Sequence, residues 1–235
     1  MTDETKSLLK AWAVRYHTSA FILNDPVQFP HRYKHKQDIE ICGLLTAILS
    51  FGNRKMIVRK AEELDSFMRP SPYQYLLSRK WLNDFPLGNK SSFYRMLSFS
   101  DIHLYFQRLY EAYTRYPSLE EALSSFSGSP MERLCAFLAV SPKSPQKKLN
   151  MFLRWMVRRD SEVDFGLWTS FSPRDLIIPL DTHVCRVAYM LGLTDSDSFS
   201  LRNARKITNA LVEVFPGDPC LGDFALFGYG INHAG

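Results

Sequence analysis

Apolar positions recur along the chain mainly at helical spacing. Leu9, Trp12, Ala13 and Tyr16 fall at i, i+3, i+4 and i+7, which predicts an amphipathic helix over residues 4–22. Pro26 and Pro30 deny the next segment a helix, so residues 24–36 read as loop. Residues 38–51, DIEICGLLTAILSF, are apolar on nearly every side, and a helix of that kind belongs at the centre of a core. Gly52 and Asn53 break it. Further helices are predicted over residues 55–68, 72–78, 102–116, 119–126, 130–138, 145–158, 182–191, 201–215 and 221–229. No convincing alternating run marks a strand, and the longest non-helical stretches are 79–100 and 160–179. The expected class is all-α. The chain is expected to form a single helical unit over 1–235 with two closely packed lobes. One lobe covers about 37–140, and the other joins 1–36 to 141–235.

Composition narrows the class. Of 235 residues 46% are hydrophobic and 23% charged, which excludes a disordered tail protein. No apolar run is long enough to cross a membrane, and the start, MTDETKSLLK, has no apolar signal core. A cytoplasmic protein with no membrane partner is therefore expected. Lys plus Arg is 29 and Asp plus Glu 24, a balance of +5 that is compatible with a polyanionic partner. Cys42, Cys135, Cys185 and Cys220 are far apart and read as buried reduced thiols. With no C-x-x-C pair, neither a metal nor a cofactor is expected.

Two segments carry chemistry. In IIPLDTHVCRVAYMLGL, Asp181 precedes a helix starting at Thr182 and can accept from the amides of His183 or Val184 as its N-cap. Val184, Val187, Ala188 and Leu191 make the buried stripe, and Gly192 ends the helix in a left-handed C-cap. In SPKSPQKKLNMFLRWMVRR, Leu149, Phe152, Leu153 and Met156 form the apolar stripe, and Phe152 and Trp155 read as core. Lys147 points nearly opposite that stripe and shares its face with Arg154 and Arg158. That face is either a solvated basic surface or a nucleophilic lysine beside a nucleic-acid surface. The run His31 to Lys36 is basic and aromatic, and is either a nucleic-acid contact or an exposed loop.

The run Leu180-Asp181-Thr182-His183-Val184-Cys185-Arg186-Val187 resembles the signature of the helix-hairpin-helix DNA glycosylases typified by endonuclease III. Lys147-Lys148-Leu149-Asn150-Met151-Phe152-Leu153 is similar to the K-x-x-N-x-x-L pattern of the lyase-active members, and Ile48-Leu49-Ser50 to the end of their buried helix. The order of elements agrees from about residue 37 to 230. The resemblance is to a bacterial branch without the iron–sulfur loop, on the runs DPVQFPHRYKHKQDIEI, FGNRK, KKLNMFLRWMVRR and DFALFGYG. The chain departs from the family hairpin Leu-Pro-Gly-Val-Gly with Ser141-Pro142-Lys143-Ser144-Pro145, which has neither glycine. It also carries an insertion around residues 160–174.

The resemblance implies a base-excision repair enzyme that extrudes a damaged base, such as an oxidised one, from double-stranded DNA and acts as a monomer. Lys147 would attack the sugar C1′ and form a Schiff base, giving strand-cleaving lyase activity, with Lys148 as rival nucleophile. Asp181 would stabilise the sugar cation or activate the attacker. Lys143, Ser144, Arg154 and Arg186 would bind phosphates, and Asn53 or Arg54 would fill the gap left by the base. Two other readings stay open. One is a DNA-binding helical module that has lost activity, and the other is a helical protein-interaction domain.

Overall fold

The computed structural model describes residues 1–233, and the fold is all-α. In chain order the helices are α1 (Asp3–Tyr16), α2 (Lys36–Leu49), α3 (Arg54–Met68), α4 (Pro72–Ser78), α5 (Trp81–Asp84) and α6 (Phe99–Tyr113). They continue as α7 (Leu119–Ser124), α8 (Pro130–Leu138), α9 (Lys147–Val157), α10 (Thr182–Met190), α11 (Leu201–Val212) and α12 (Leu221–Asn232). Among the described residues no helix is long and apolar enough to cross a membrane.

The chain divides into two compact units. Among the described residues one unit comprises 24–127 and 136–139, and the other 1–23, 128–135 and 140–233. Residues 24–36 thus fold with the central helices and not, as expected, with the chain ends. Their short 3-10 turns bury Val27 and Phe29, and Arg32 donates to Asp65 and Glu62 while lying over the Phe29 ring. Lys36 pairs with Glu120. The basic run His31 to Lys36 is therefore neither a free basic patch nor a bare loop, because two of its cations answer acids of their own unit.

The central unit is built around α2, which buries every residue from Asp38 to Leu49. Its two buried acids are satisfied. Glu40 accepts from the Tyr113 hydroxyl and from the first amides of α7, and Asp38 from Ser71 and the Tyr73 amide. Such pairing is what makes a charge tolerable inside an apolar helix. Residues 79–100, expected to be irregular, contain α5 and a hairpin, β1 (Ser92–Tyr94) with β2 (Leu97–Ser98). Phe93 and Tyr94 bury themselves from it, and Arg95 takes the left-handed conformation in its turn. Two or three residues per strand are too few for an alternation to register in sequence.

In the other unit, α1 and α10 both pack on α12. Glycines in the run DFALFGYG allow this close approach. A Cβ on Gly228 would strike the Tyr16 ring, and one on Gly230 would lie 2.8 Å from His183 Cβ. The first helix stops at Tyr16, short of residue 22, because tertiary bonds capture the next residues. His17 shares a hydrogen bond of 2.8 Å with Ser161, and the Ser19 amide donates to Glu162. Gly192 has φ +69, the left-handed C-cap expected of it.

Candidate active site

The helix carrying Lys147 begins later than the sequence pattern predicts. Gln146 adopts φ 45, ψ 47, so α9 starts at Lys147 and not at Pro145. A non-glycine residue held in that region costs about 1–3 kcal/mol, which the surrounding bonds must offset. Gln146 Nε2 donates to the Ser141 carbonyl at 2.6 Å, and Asn150 Nδ2 to the Pro145 carbonyl at 2.9 Å. Asn150 thereby pins the turn before α9 to the helix itself. No side chain caps α9, and Lys143 and Ser144 lie exposed in the turn before it. An uncapped helix start with a lysine nearby suits an anion.

Asp181 sits at the N-cap of α10 as its residue type predicts, with Oδ1 accepting from the Val184 amide at 2.9 Å. The dipole of α10 favours the carboxylate there. The other oxygen, Oδ2, lies 3.5 Å from Lys147 Nζ. Capping and pairing therefore use different oxygens of one carboxylate. The Asp181 side chain keeps 11% of its surface exposed and that of Lys147 31%. Lys148, next along α9, is half-buried, and burial pushes its ammonium below the usual lysine range.

Behind this pair the basic face of α9 turns inward. Arg154 and Arg158 are buried, which corrects the expectation that Arg154 binds phosphate and shows that the part of the face beyond Lys147 is not solvated. Arg154 donates through Nε to Asp164 at 3.2 Å and through Nη1 to Asp223. Arg158 donates to the other oxygen of Asp164, and through Nε to Asp218 at 2.7 Å. The Arg154 and Arg158 guanidinium carbons lie 4.3 and 5.2 Å from the centre of the Phe224 ring. Each is thus held by two carboxylates and an aromatic face, and is closed to a ligand. The lone helix gives no sign of this, because the acids come from the segment after α9 and from the region of α12.

A family model described as protein of unknown function (DUF2400) matches residues 25–232. The chain belongs to the DUF2400 family. No curated protein and no solved structure matches it. The span shared with DUF2400 contains Lys147, Asp181 and every residue of the buried ion network, while α1 lies before it.

The other expected site residues of this DUF2400 chain stand apart from the Lys147–Asp181 pair in their bonding. Arg186 is exposed on α10, where one nitrogen donates to the Gly230 carbonyl at 3.1 Å. The same carbonyl lies 3.2 Å from His183 Nδ1. Asn53 caps α3, its side chain accepting from the Lys55 amide at 3.0 Å, and Arg54 Nη2 lies 3.4 Å from Asp25. Both stand in the central unit. A cleft of about 330 Å³ lined by Lys10, Ala13, Val14, His17, Phe215 and Leu221 contains none of these residues. Among the described residues no group of three or more His, Cys, Asp or Glu is placed to hold a metal. The four cysteines are buried and unpaired with one another.

Sequence reasoning misses Asp223, although the run DFALFGYG contains it. The available signal is an acid in the first turn of an otherwise apolar helix, a position that must find a cation once buried. Burial pushes its carboxyl up to about 6, with Asp181 adding to the rise and Arg154 and Lys147 opposing it.

Proposed function

We propose that this protein is a helix-hairpin-helix DNA glycosylase with lyase activity, acting on a damaged base in double-stranded DNA. The approach of Lys147 Nζ to Asp181 Oδ2 carries the reading. In it a proton leaves the Lys147 ammonium for solvent or for the nearby carboxylate. The neutral amine then attacks C1′ as the bond to the base breaks, and the base departs with that electron pair and gains a proton. Asp181 stabilises the positive charge that develops on the sugar. Ring opening gives a protonated Schiff base, loss of a C2′ proton expels the 3′ phosphate, and water releases the lysine.

Borohydride trapping tests this. A mixture of full-length protein and a duplex bearing an abasic site or an oxidised base is expected to give a covalent adduct, and an undamaged duplex none. No adduct and no base release across a broad lesion panel removes the reading.

Lys143, Ser144 and the open start of α9 are the phosphate contacts of this proposal, with Arg186 beside them in role. Lys143→Ala is expected to lower the slope of log affinity against log salt by about 1 for any duplex, damaged or not. Binding measured by anisotropy across a salt series checks it.

A second reading has one observation behind it: Asp181 already serves α10 as its cap. A DNA-binding module without catalysis needs nothing more of that residue. Asp181→Asn separates the two, because asparagine caps a helix about as well as aspartate but carries no charge. In a catalytic protein this variant keeps its melting temperature and loses most of its adduct.

A further inference from the structure

We propose that Asp223 is a positioning residue of the Lys147–Asp181 site, holding the charge of that site through Arg154. The proposal rests on the reading of Lys147 as nucleophile. Lys147 and Arg154 stand seven residues apart on α9, two turns along one face. Arg154 is fixed at two ends, by Asp164 on Nε and by Asp223 on Nη1. Asp223 is thus the carboxylate that ties α12 to the face of α9 bearing Lys147.

The groups that act on Asp223 come from three places. Arg154 and Lys147 come from α9 and Asp181 from the start of α10, while Cys220, just before α12, feels its charge as well. With Asp223 ionised, the quartet Lys147, Arg154, Asp181 and Asp223 is neutral. With Asp223 protonated it carries one positive charge. Since burial raises the Asp223 carboxyl to about 6, that change falls in the range where an enzyme works. An ionised Asp223 favours positive charge in the quartet and so bears on the pH at which trapping sets in.

Two measurements on the full-length protein test this. The first is the pH profile of the trapping rate. Asp223→Asn is expected to move its acid limb down by about 0.5–1 pH unit, so that trapping at about pH 7.5, where Asp223 is ionised in the wild type, rises ~3- to 10-fold relative to the plateau. Asp164→Asn removes the other carboxylate of Arg154, and a limb that stays in place there shows that the effect belongs to Asp223. Asp223→Glu is expected to restore the wild-type limb. An Asp223→Asn profile that matches wild type, or an equal displacement in Asp164→Asn, overturns the proposal.

The second measurement needs no variant at Asp223 and no activity. The carboxyl carbon of Asp223, followed by NMR against pH, is expected to titrate higher in Lys147→Ala and lower in Asp181→Asn. A midpoint that moves in neither variant also overturns the proposal. Wild-type protein that traps no adduct sinks the lyase reading instead, whatever the titration shows, so the two failures are distinct.

Discussion

Lys147→Ala is expected to leave no borohydride-stable adduct and to lower strand cleavage at an abasic site by at least about 10³-fold, as losses of a covalent nucleophile do. The side chain is partly exposed where it pairs with Asp181, so its removal should shift the melting temperature little. Activity and stability therefore part company in this variant, which separates chemistry from folding. Lys148→Ala is the necessary companion. Burial pushes the Lys148 ammonium below its ordinary range, whereas Lys147 is the one that meets a carboxylate able to steady the sugar cation. An adduct that persists in Lys147→Ala and vanishes in Lys148→Ala assigns the nucleophile to Lys148.

The largest effect on stability is expected at Arg154. Arg154→Met keeps the volume and the apolar contact with Phe224 but deprives Asp223 and one oxygen of Asp164 of their cation. Breaking one side of a buried pair costs about 3–5 kcal/mol, against about 0–1 kcal/mol for an exposed pair such as Lys6 with Glu213. Denaturant midpoints read the difference. The loss should depend on pH with a definite sign. In the wild type the folded-state carboxyl of Asp223 titrates near 6, above its ordinary value. The folded chain therefore holds more protons than the unfolded one between the ordinary carboxylate range and about 6, and this group's contribution to stability falls as pH rises through that window. Without Arg154 the carboxyl rises further, so Arg154→Met should be least damaging near pH 5 and most damaging above pH 7. A cost independent of pH would place the defect in packing rather than in the bare carboxylate.

Much of this architecture is legible in the residues themselves. The all-round apolarity of residues 38–51 foretells the helix at the centre of one unit, since no other environment accommodates such a surface. Asp181 and Gly192 bracket α10 because a short acid caps amides and a glycine takes positive φ, both local effects. The same locality explains the failures. Periodicity carries the first helix to residue 22, but His17 and Ser19 find partners at Ser161 and Glu162, which no local window contains. The helix expected from Pro145 starts at Lys147, because Gln146 is held left-handed by bonds across the turn.

Helical periodicity and residue type by themselves determined the class and the start of α10, while the pairing of one acid with one lysine as the place to look came from the resemblance of two short runs to a known family. Only tertiary structure decided what became of the charged face of α9. Period 3.6 tells that Lys147, Arg154 and Arg158 share a side, not whether that side meets water. Asp164, Asp218 and Asp223 turn it inward, and they reach it from elsewhere in the chain. A charge is buried or solvated according to the partners that arrive in space, and spacing within one helix carries no record of them.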